Sequence, residues 1–177
     1  MKRTNKGCVQ VYTGNGKGKT TAALGQALRA AGCGLKTYIA QFMKSSPSCE
    51  IESLKYLHQW IRLEQFGNNH FITKKKNPDR KDILLARQAL KHVRKKMMKG
   101  EYDILVLDEV CTALYFNLLK TGDILTLLEE KPESVELILT GRYCPTDIIE
   151  KANLSTEMRE IKHYYRTGMP ARAGIEQ

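Results

Sequence analysis

Hydrophobic and polar positions follow two alternating patterns along this chain. The first consists of short runs of apolar and β-branched residues, each bounded by polar residues or glycine, which is typical of β-strands buried on both faces. Four such runs lie at residues 8–13, 36–43, 102–109 and 134–141. A fifth and weaker run, "IRLEQF", predicts a further strand at Ile61–Phe66.

Between these runs lie longer segments with helical spacing of apolar residues. They span residues 19–31, closed by Gly32 and Gly34, residues 79–98, ended by Gly100, and residues 122–130, ended before Pro132. Parallel strands need crossover connections, so alternating strands and helices predict a mostly parallel sheet with helices on both faces. The 177 residues suit one domain of this α/β class, with ligands at the carboxyl ends of the strands.

A glycine-rich segment, "TGNGKGKTT", follows the first predicted strand and opens the first predicted helix. Gly18, Lys19 and Thr20 form the end of a Walker A motif, in which backbone N–H groups and the helix N-terminus hold phosphates. Lys19 can reach phosphate oxygens and the Thr20 hydroxyl can bind Mg²⁺. The motif requires its first glycine at position 13, which is threonine, and a loop counted from Gly14 is one residue short. Because of this departure, the terminal phosphate need not lie where it does in standard Walker A loops. The alternative to a phosphate-binding loop is a glycine turn that only caps a helix.

Two further motifs end predicted strands. "ILVLDEV" places Asp108 and Glu109 after a buried run, as in a Walker B element, where acids support Mg²⁺ or polarise water. A helix N-cap followed by a first-turn charge is the alternative, and the glycine-rich loop favours the metal interpretation. "LTGRYCP" places Arg142 where it can neutralise charge on a leaving group, although a surface arginine is the default.

Arg29 lies more than two helical turns beyond Thr20, so direct contact with a phosphate at the helix start is not obvious. A structural ion pair is the alternative role for this side chain. The phosphate loop, the paired acids and the alternation of strands and helices together predict an α/β chain with a RecA-like P-loop NTPase fold.

Charge and composition narrow the possible partners. The net charge of +10 and pI of about 9.4 suit a polyanion, either nucleic acid or ATP. The basic runs at residues 74–81 and 91–96 lack interleaved aromatic residues, so we expect a solvated loop and helix face. No apolar segment is long enough for a membrane span and no signal core is present, which predicts a soluble, cytoplasmic protein. The five cysteines form no C-x-x-C pair and are expected to be buried packing residues.

The order of three blocks identifies a family. These are "YTGNGKGKTTAALGQALRAAGCGLKTYIAQFMK", "LVLDEV" and "LTGRYCPTDIIEKANLSTEMREIKHYY", the last continuing to "ARAGIEQ". The chain resembles the P-loop type of ATP:corrinoid adenosyltransferases of cobalamin biosynthesis and salvage, most strongly at residues 13–44 and from residue 139 onward. The resemblance implies transfer of the 5′-deoxyadenosyl group of ATP to the Co(I) centre of a reduced corrinoid, with release of whole triphosphate. The cobalt is then the nucleophile, and the protein need not supply one.

The resemblance also implies roles for individual residues. It implies that Lys19, Glu109 and Arg142 are catalytic, that Thr20 and Glu109 hold Mg²⁺ or Mn²⁺, and that Asp108 supports these ligands without binding the metal. Arg29 and Arg142 match arginines that support the phosphates. The implied ATP-binding positions are Gly14, Asn15, Gly16, Lys17, Gly18, Lys19, Thr20, Thr21 and Arg29.

Members of the family place a phenylalanine and a tryptophan in a loop that displaces the lower axial base of the corrinoid. Phe71 is the nearest match here, without the tryptophan, and an apolar anchor for the loop is its alternative role. The resemblance further implies a homodimer and a reduced flavoprotein as electron donor. Relatives often carry a longer N-terminal segment that covers the partner's site, whereas here the first strand begins near Cys8. Two other functions stay open, a RecA-like P-loop ATPase acting on nucleic acid and a nucleotide-binding regulator without turnover.

Overall fold

A computed structural model of the chain describes residues 6–68 and 78–176. The strands are β1 (Val9–Thr13), β2 (Thr37–Phe42), β3 (Ile61–Phe66), β4 (Ile104–Asp108), β5 (Glu136–Thr140) and β6 (Leu154–Glu157). The α-helices are α1 (Lys19–Ala31), α2 (Cys49–Leu54), α3 (Arg80–Met98), α4 (Val110–Tyr115), α5 (Thr121–Glu130) and α6 (Thr146–Lys151). Short 3-10 helices lie at Lys55–Leu57 and Tyr164–Thr167.

The six strands form one sheet in the order β3-β2-β4-β5-β1-β6, and every neighbouring pair is parallel. This confirms the α/β class and agrees with a RecA-like P-loop fold. β5 lies between β1, which leads into the glycine-rich loop, and β4, which leads into the paired acids. The carboxyl ends of these three strands therefore meet at one edge of the sheet.

Alternate residues of the central strands face two separate cores. On β4, Leu105 and Leu107 belong to the larger core, which also contains the buried faces of α3, α4 and α5. Ile104 and Val106 point to the opposite core, where α1 supplies a row of small alanines. Burying a leucine side chain contributes roughly 1.5–3 kcal/mol, so a strand buried on both faces is anchored by nearly every residue.

The predicted helices and strands all occur, and their ends differ from the predicted ones by at most two residues. β4 ends at Asp108 because Glu109 has a positive φ of 64°, which breaks the strand. The short helices α2, α4 and α6 and the strand β6 were not predicted. β6 reads "LSTE" and all four of its residues are exposed, so it carries no buried apolar pattern.

The prediction that the cysteines are buried is wrong for four of the five. Cys111 is buried, Cys33 and Cys49 are exposed, and Cys8 and Cys144 are half-buried. Cys33 lies in the turn between Gly32 and Gly34, and Cys49 begins the surface helix α2, so neither reaches a core. Across residues 6–68 and 78–176, no helix is both long and apolar enough to cross a membrane.

Candidate active site

A cavity of about 710 Å³ lies at the carboxyl edge of the sheet. Pockets of this size accommodate nucleotides and comparable ligands. Eight of the residues predicted from the sequence line it together: Gly16, Lys17, Gly18, Lys19, Thr20, Thr21, Glu109 and Arg142. A smaller cavity of about 390 Å³ lies between α3 and α5, away from these motifs.

The backbone at this edge adopts conformations that side chains rarely tolerate. Met43, Glu109 and Tyr143 have φ values of 61°, 64° and 58° and follow the ends of β2, β4 and β5. Positive φ at residues other than glycine costs free energy and concentrates at functional sites. At Glu109 the positive φ directs two adjacent acids to different places. Asp108 stays buried, while Glu109 lines the cavity.

Asp108 is the centre of a buried hydrogen-bond network. Its side chain is 1% exposed, and its Oδ1 accepts from the hydroxyls of Thr20 at 2.8 Å and Thr140 at 2.7 Å. Its Oδ2 accepts from the Gln41 amide at 3.1 Å and the Lys44 ammonium at 3.2 Å. Four donors occupy the lone-pair directions of the carboxylate. Asp108 therefore fixes four residues from three parts of the chain, α1, the end of β2 and β5, and has no direction left for a metal ion.

Glu109 is held by α4 and by the loop after β5. The Thr112 hydroxyl donates to Glu109 Oε2 at 2.5 Å and accepts from the backbone N–H of Arg142 at 3.0 Å. One hydroxyl thus connects the acid to the loop that carries the arginine. Gly141 permits this approach, because a Cβ there would lie 2.7 Å from the backbone nitrogen of Thr112.

Lys19 is buried in the glycine-rich loop that it follows. Its Nζ donates to the carbonyl oxygens of Gly14 and Gly16, both at 2.7 Å. Burial lowers the pKa of the Lys19 ammonium, and Glu109 and Asp108 oppose that change. A desolvated ammonium beside the cavity interacts more strongly with an anion than an exposed one does.

The loop glycines are packed against the C-terminal part of the chain. A Cβ on Gly14 or Gly16 would lie 2.4 or 2.8 Å from the carbonyl oxygen of Met158. The Gly16 N–H donates to that oxygen at 2.7 Å, so this N–H is not directed into the cavity. Two of the motif's glycines therefore serve close backbone approach, and Gly18, with φ of 116°, forms the turn into α1.

The remaining cavity wall was not predicted from the sequence. It comes from α1, from the residue after β2, from α2 and from the C-terminal residues. Its members are Leu24, Lys44, Cys49, Glu50, Ser53, His163, Gly174, Ile175 and Glu176. For the hydrogen-bond network around Asp108, the polar residues Gln41 and Thr140 within otherwise apolar strands were an available signal, because a buried polar side chain needs a partner.

Three predicted positions among the described residues, Gly14, Asn15 and Arg29, do not line the cavity. Gly14 contacts Lys19 through its carbonyl oxygen, and the Asn15 side chain accepts from the Glu160 N–H at 3.2 Å. Arg29 is exposed in the last turn of α1, where its charge opposes the burial that raises the pKa of Tyr12. Phe71 lies outside the described residues.

Comparison with known proteins finds relatives that match nearly the whole chain. The chain is 33% identical over 172 residues to a corrinoid adenosyltransferase of Escherichia coli (strain K12), covering 97% of this chain and 86% of that protein. It is 31% identical over 176 residues to a corrinoid adenosyltransferase of Sinorhizobium sp, covering 99% and 82%. The corrinoid adenosyltransferase CobA of Salmonella typhimurium is 31% identical over 172 residues, covering 97% and 86%.

A sequence profile of one family extends over both the cavity and the sheet beneath it. It matches residues 5–177, which include the glycine-rich loop, the paired acids, Arg142 and the C-terminal wall. The chain belongs to the ATP:corrinoid adenosyltransferase family BtuR/CobO/CobP.

Proposed function

We propose that this protein transfers the 5′-deoxyadenosyl group of ATP to the Co(I) centre of a reduced corrinoid and releases triphosphate, in cobalamin biosynthesis or salvage. Cobalt attacks C5′ of the ribose, a cobalt–carbon bond forms, and the bond between C5′ and the triphosphate oxygen breaks. Membership of the adenosyltransferase family carries the proposal, together with one observation: Lys19, Glu109 and Arg142 line the same cavity.

The protein's share of this reaction is to hold the reacting atoms in line and to stabilise the departing triphosphate. Lys19 and the N-terminus of α1 supply positive charge at the loop end of the cavity, and Lys17 and Arg142 add to it. We assign the catalytic roles to Lys19, Glu109 and Arg142. Binding of ATP involves the whole segment from Gly14 to Thr21, with Arg29 supporting the phosphates at longer range.

The residues present fit a divalent cation at Thr20 and Glu109. The Thr20 hydroxyl donates its proton to Asp108, which leaves its oxygen lone pairs free for a metal. A hydroxyl and a carboxylate are the oxygen ligands that Mg²⁺ or Mn²⁺ prefers, with substrate phosphates completing the shell. Such an ion would neutralise charge on the phosphates when bound. Asp108 orients Thr20 and supports the site without a direct metal contact.

Several further roles follow from the same proposal. The reductant is a reduced flavoprotein, the working assembly is a homodimer, and the enzyme acts in the cytoplasm as one domain covering residues 1–177. Phe71 assists by displacing the lower axial base of the corrinoid.

The basic residues of α3 form a solvated face, because Lys91, Arg94 and Lys95 are exposed and Arg94 pairs with Glu130.

The test mixes the full chain with ATP, Mg²⁺ and chemically reduced cobalamin and follows the absorbance change of cobalt–carbon bond formation. The phosphate products are identified by ion-exchange chromatography. We expect a light-sensitive alkylcobalamin and inorganic triphosphate in equal amounts. Formation of ADP and orthophosphate without corrinoid, accelerated by DNA or RNA, would support the nucleic-acid ATPase instead. Binding of ATP with no product of either kind would support a regulator.

A further inference from the structure

The C-terminal residues 158–176, here called the C-terminal clasp, touch the glycine-rich loop at their first residues. The Met158 N–H donates to the Thr13 carbonyl at 2.8 Å, and the Gly16 N–H donates to the Met158 carbonyl at 2.7 Å. The Asn15 side chain accepts from the Glu160 N–H at 3.2 Å. The clasp is therefore joined to the loop through three hydrogen bonds, in addition to the pairing of β6 with β1.

The far end of the clasp returns to the same cavity. His163, Gly174, Ile175 and Glu176 line it together with the loop residues from Gly16 to Thr21. A segment that begins on the loop and ends on the cavity wall borders the space into which the triphosphate would be placed.

One carboxylate holds the returning end in position. Glu176 Oε1 accepts from the Tyr164 hydroxyl and from Arg172 Nη2, the latter at 3.2 Å. Its Oε2 accepts from the Arg172 N–H at 2.9 Å and from Arg172 Nε at 3.3 Å. The guanidinium carbon also lies 4.9 Å from the centre of the Tyr164 ring. These contacts close residues 164–176 into a compact unit.

The contacts also define what Glu176 does not do. Four donors occupy both oxygens, so no lone-pair direction remains for a hydroxyl or amino group of a ligand. An unneutralised carboxylate on the wall would repel a triphosphate, whereas the ion pair with Arg172 cancels its charge at short range. The side chain thus acts through the placement of its neighbours.

We propose that the C-terminal clasp is part of the ATP site and that Glu176 is its positioning residue, held by Tyr164 and Arg172. The clasp encloses the nucleotide against the glycine-rich loop, with Gly174, Ile175 and His163 as its contact surface. This inference rests on the proposed function only for the identity of the nucleotide.

The test measures the Kd for MgATP by calorimetry without corrinoid, so its result does not depend on alkyl transfer. Glu176→Gln keeps the shape of the side chain but loses acceptors for Arg172. We expect its Kd to rise about tenfold, in keeping with the loss of charge-assisted hydrogen bonds. The matched control is Glu129→Gln, an exposed glutamate on α5 outside the cavity, with an expected change below about twofold.

A second measurement separates a role in the ATP site from a merely structural one. In the transfer assay, Glu176→Gln should raise the KM for ATP and leave the KM for corrinoid unchanged. Trypsin cleavage after Arg166 and Arg172 should slow when MgATP is added to wild type, and slow less in the variant.

A Kd for MgATP within twofold of the Glu129→Gln value overturns the proposal. If Glu176→Gln does not fold, Tyr164→Phe removes a single donor and is judged by the same criterion. Failure of wild type to form alkylcobalamin, with the difference in Kd intact, would overturn the proposed reaction and leave the clasp in place.

Discussion

Asp108 and Glu176 are both carboxylates with four hydrogen-bond donors, in opposite surroundings. Asp108 ends a central strand, is 1% exposed, and collects donors from distant parts of the sequence. Glu176 is 15% exposed, and its donors lie within twelve residues of it. The same number of hydrogen bonds therefore has different consequences. The Asp108 carboxylate holds the sheet edge together, whereas the Glu176 carboxylate shapes a local surface segment.

The largest expected effect is a loss of transfer activity on substitution of Lys19, which follows the first strand of the sheet. Lys19→Ala removes the buried ammonium that lines the cavity and that we propose to hold the triphosphate, and we expect transfer to fall by at least about 100-fold, as when one preorganised donor is removed. The measurement is the initial rate of alkylcobalamin formation. Lys151→Ala, an exposed lysine on α6, is the control and should keep the wild-type rate. Retained activity in Lys19→Ala would mean that the loop is not the triphosphate site.

The next comparison concerns stability. Asp108→Asn replaces an acceptor with an amide that cannot serve all four donors and leaves Lys44 without its counter-charge. We expect a loss of roughly 2–4 kcal/mol in the free energy of unfolding, measured by urea denaturation. Glu150→Gln, an exposed site on α6, is the control. The same experiment on Glu176→Gln should shift the urea midpoint much less than Asp108→Asn does, because its contacts hold a local segment, and equal losses at both carboxylates would erase the contrast.

A pair of glycines tests the contact between the loop and the clasp. Gly16→Ala places a Cβ 2.8 Å from the Met158 carbonyl oxygen, and we expect a loss of about 1–3 kcal/mol together with weaker MgATP binding. Gly25→Ala in α1 meets no atom within 4 Å and should gain about 0.5–1 kcal/mol. Denaturation of both variants under one condition gives the comparison. Equal stability would show that the clasp can move away from the loop at little cost.

The smallest effect is a titration. Hydrogen bonds from Arg172, and then from Tyr164, lower the pKa of Glu176 from its ordinary value of 4.5 to about 2. Because the folded pKa is depressed, the ionised form favours the folded clasp above about pH 4.5, and this contribution is lost as the pH falls toward 2. Carboxyl carbon NMR should show Glu176 titrating near 2, and Arg172→Ala should raise that pKa. A wild-type titration near 4.5 would show an open clasp.

Sequence patterns predicted the centre of the molecule well for a physical reason. Strands buried on both faces must be apolar at nearly every position, so β1, β2, β4 and β5 stand out from their surroundings. Lys19, Thr20, Glu109 and Arg142 follow these strands, and a parallel sheet brings their carboxyl ends together. The joint position of these side chains at one cavity was therefore predictable.

The periphery was not predictable by the same means. β6 is exposed and polar and is defined by pairing with β1, more than 140 residues away. The hydrogen bond between Thr112 and Glu109 depends on the positive φ of Glu109, and the spacing of apolar residues in the sequence does not encode that turn. The ring of contacts around Glu176 depends on the path of an irregular segment, in which no repeat of apolar residues marks the direction of the chain.

The position of β1 in the sheet also determines when, during synthesis, the sheet around the glycine-rich segment can form. β1 hydrogen bonds only to β5 and β6 among the described strands, and these form from residues 136–140 and 154–157. During synthesis the glycine-rich segment leaves the ribosome well before β5 and β6, so β1 gains both neighbours only after residue 157 has emerged. Such distant pairing slows folding, because the intervening chain must close before contacts stabilise it. A chain terminated before β6 would carry the motif without the complete sheet that shapes it, so nucleotide binding would require synthesis through β6.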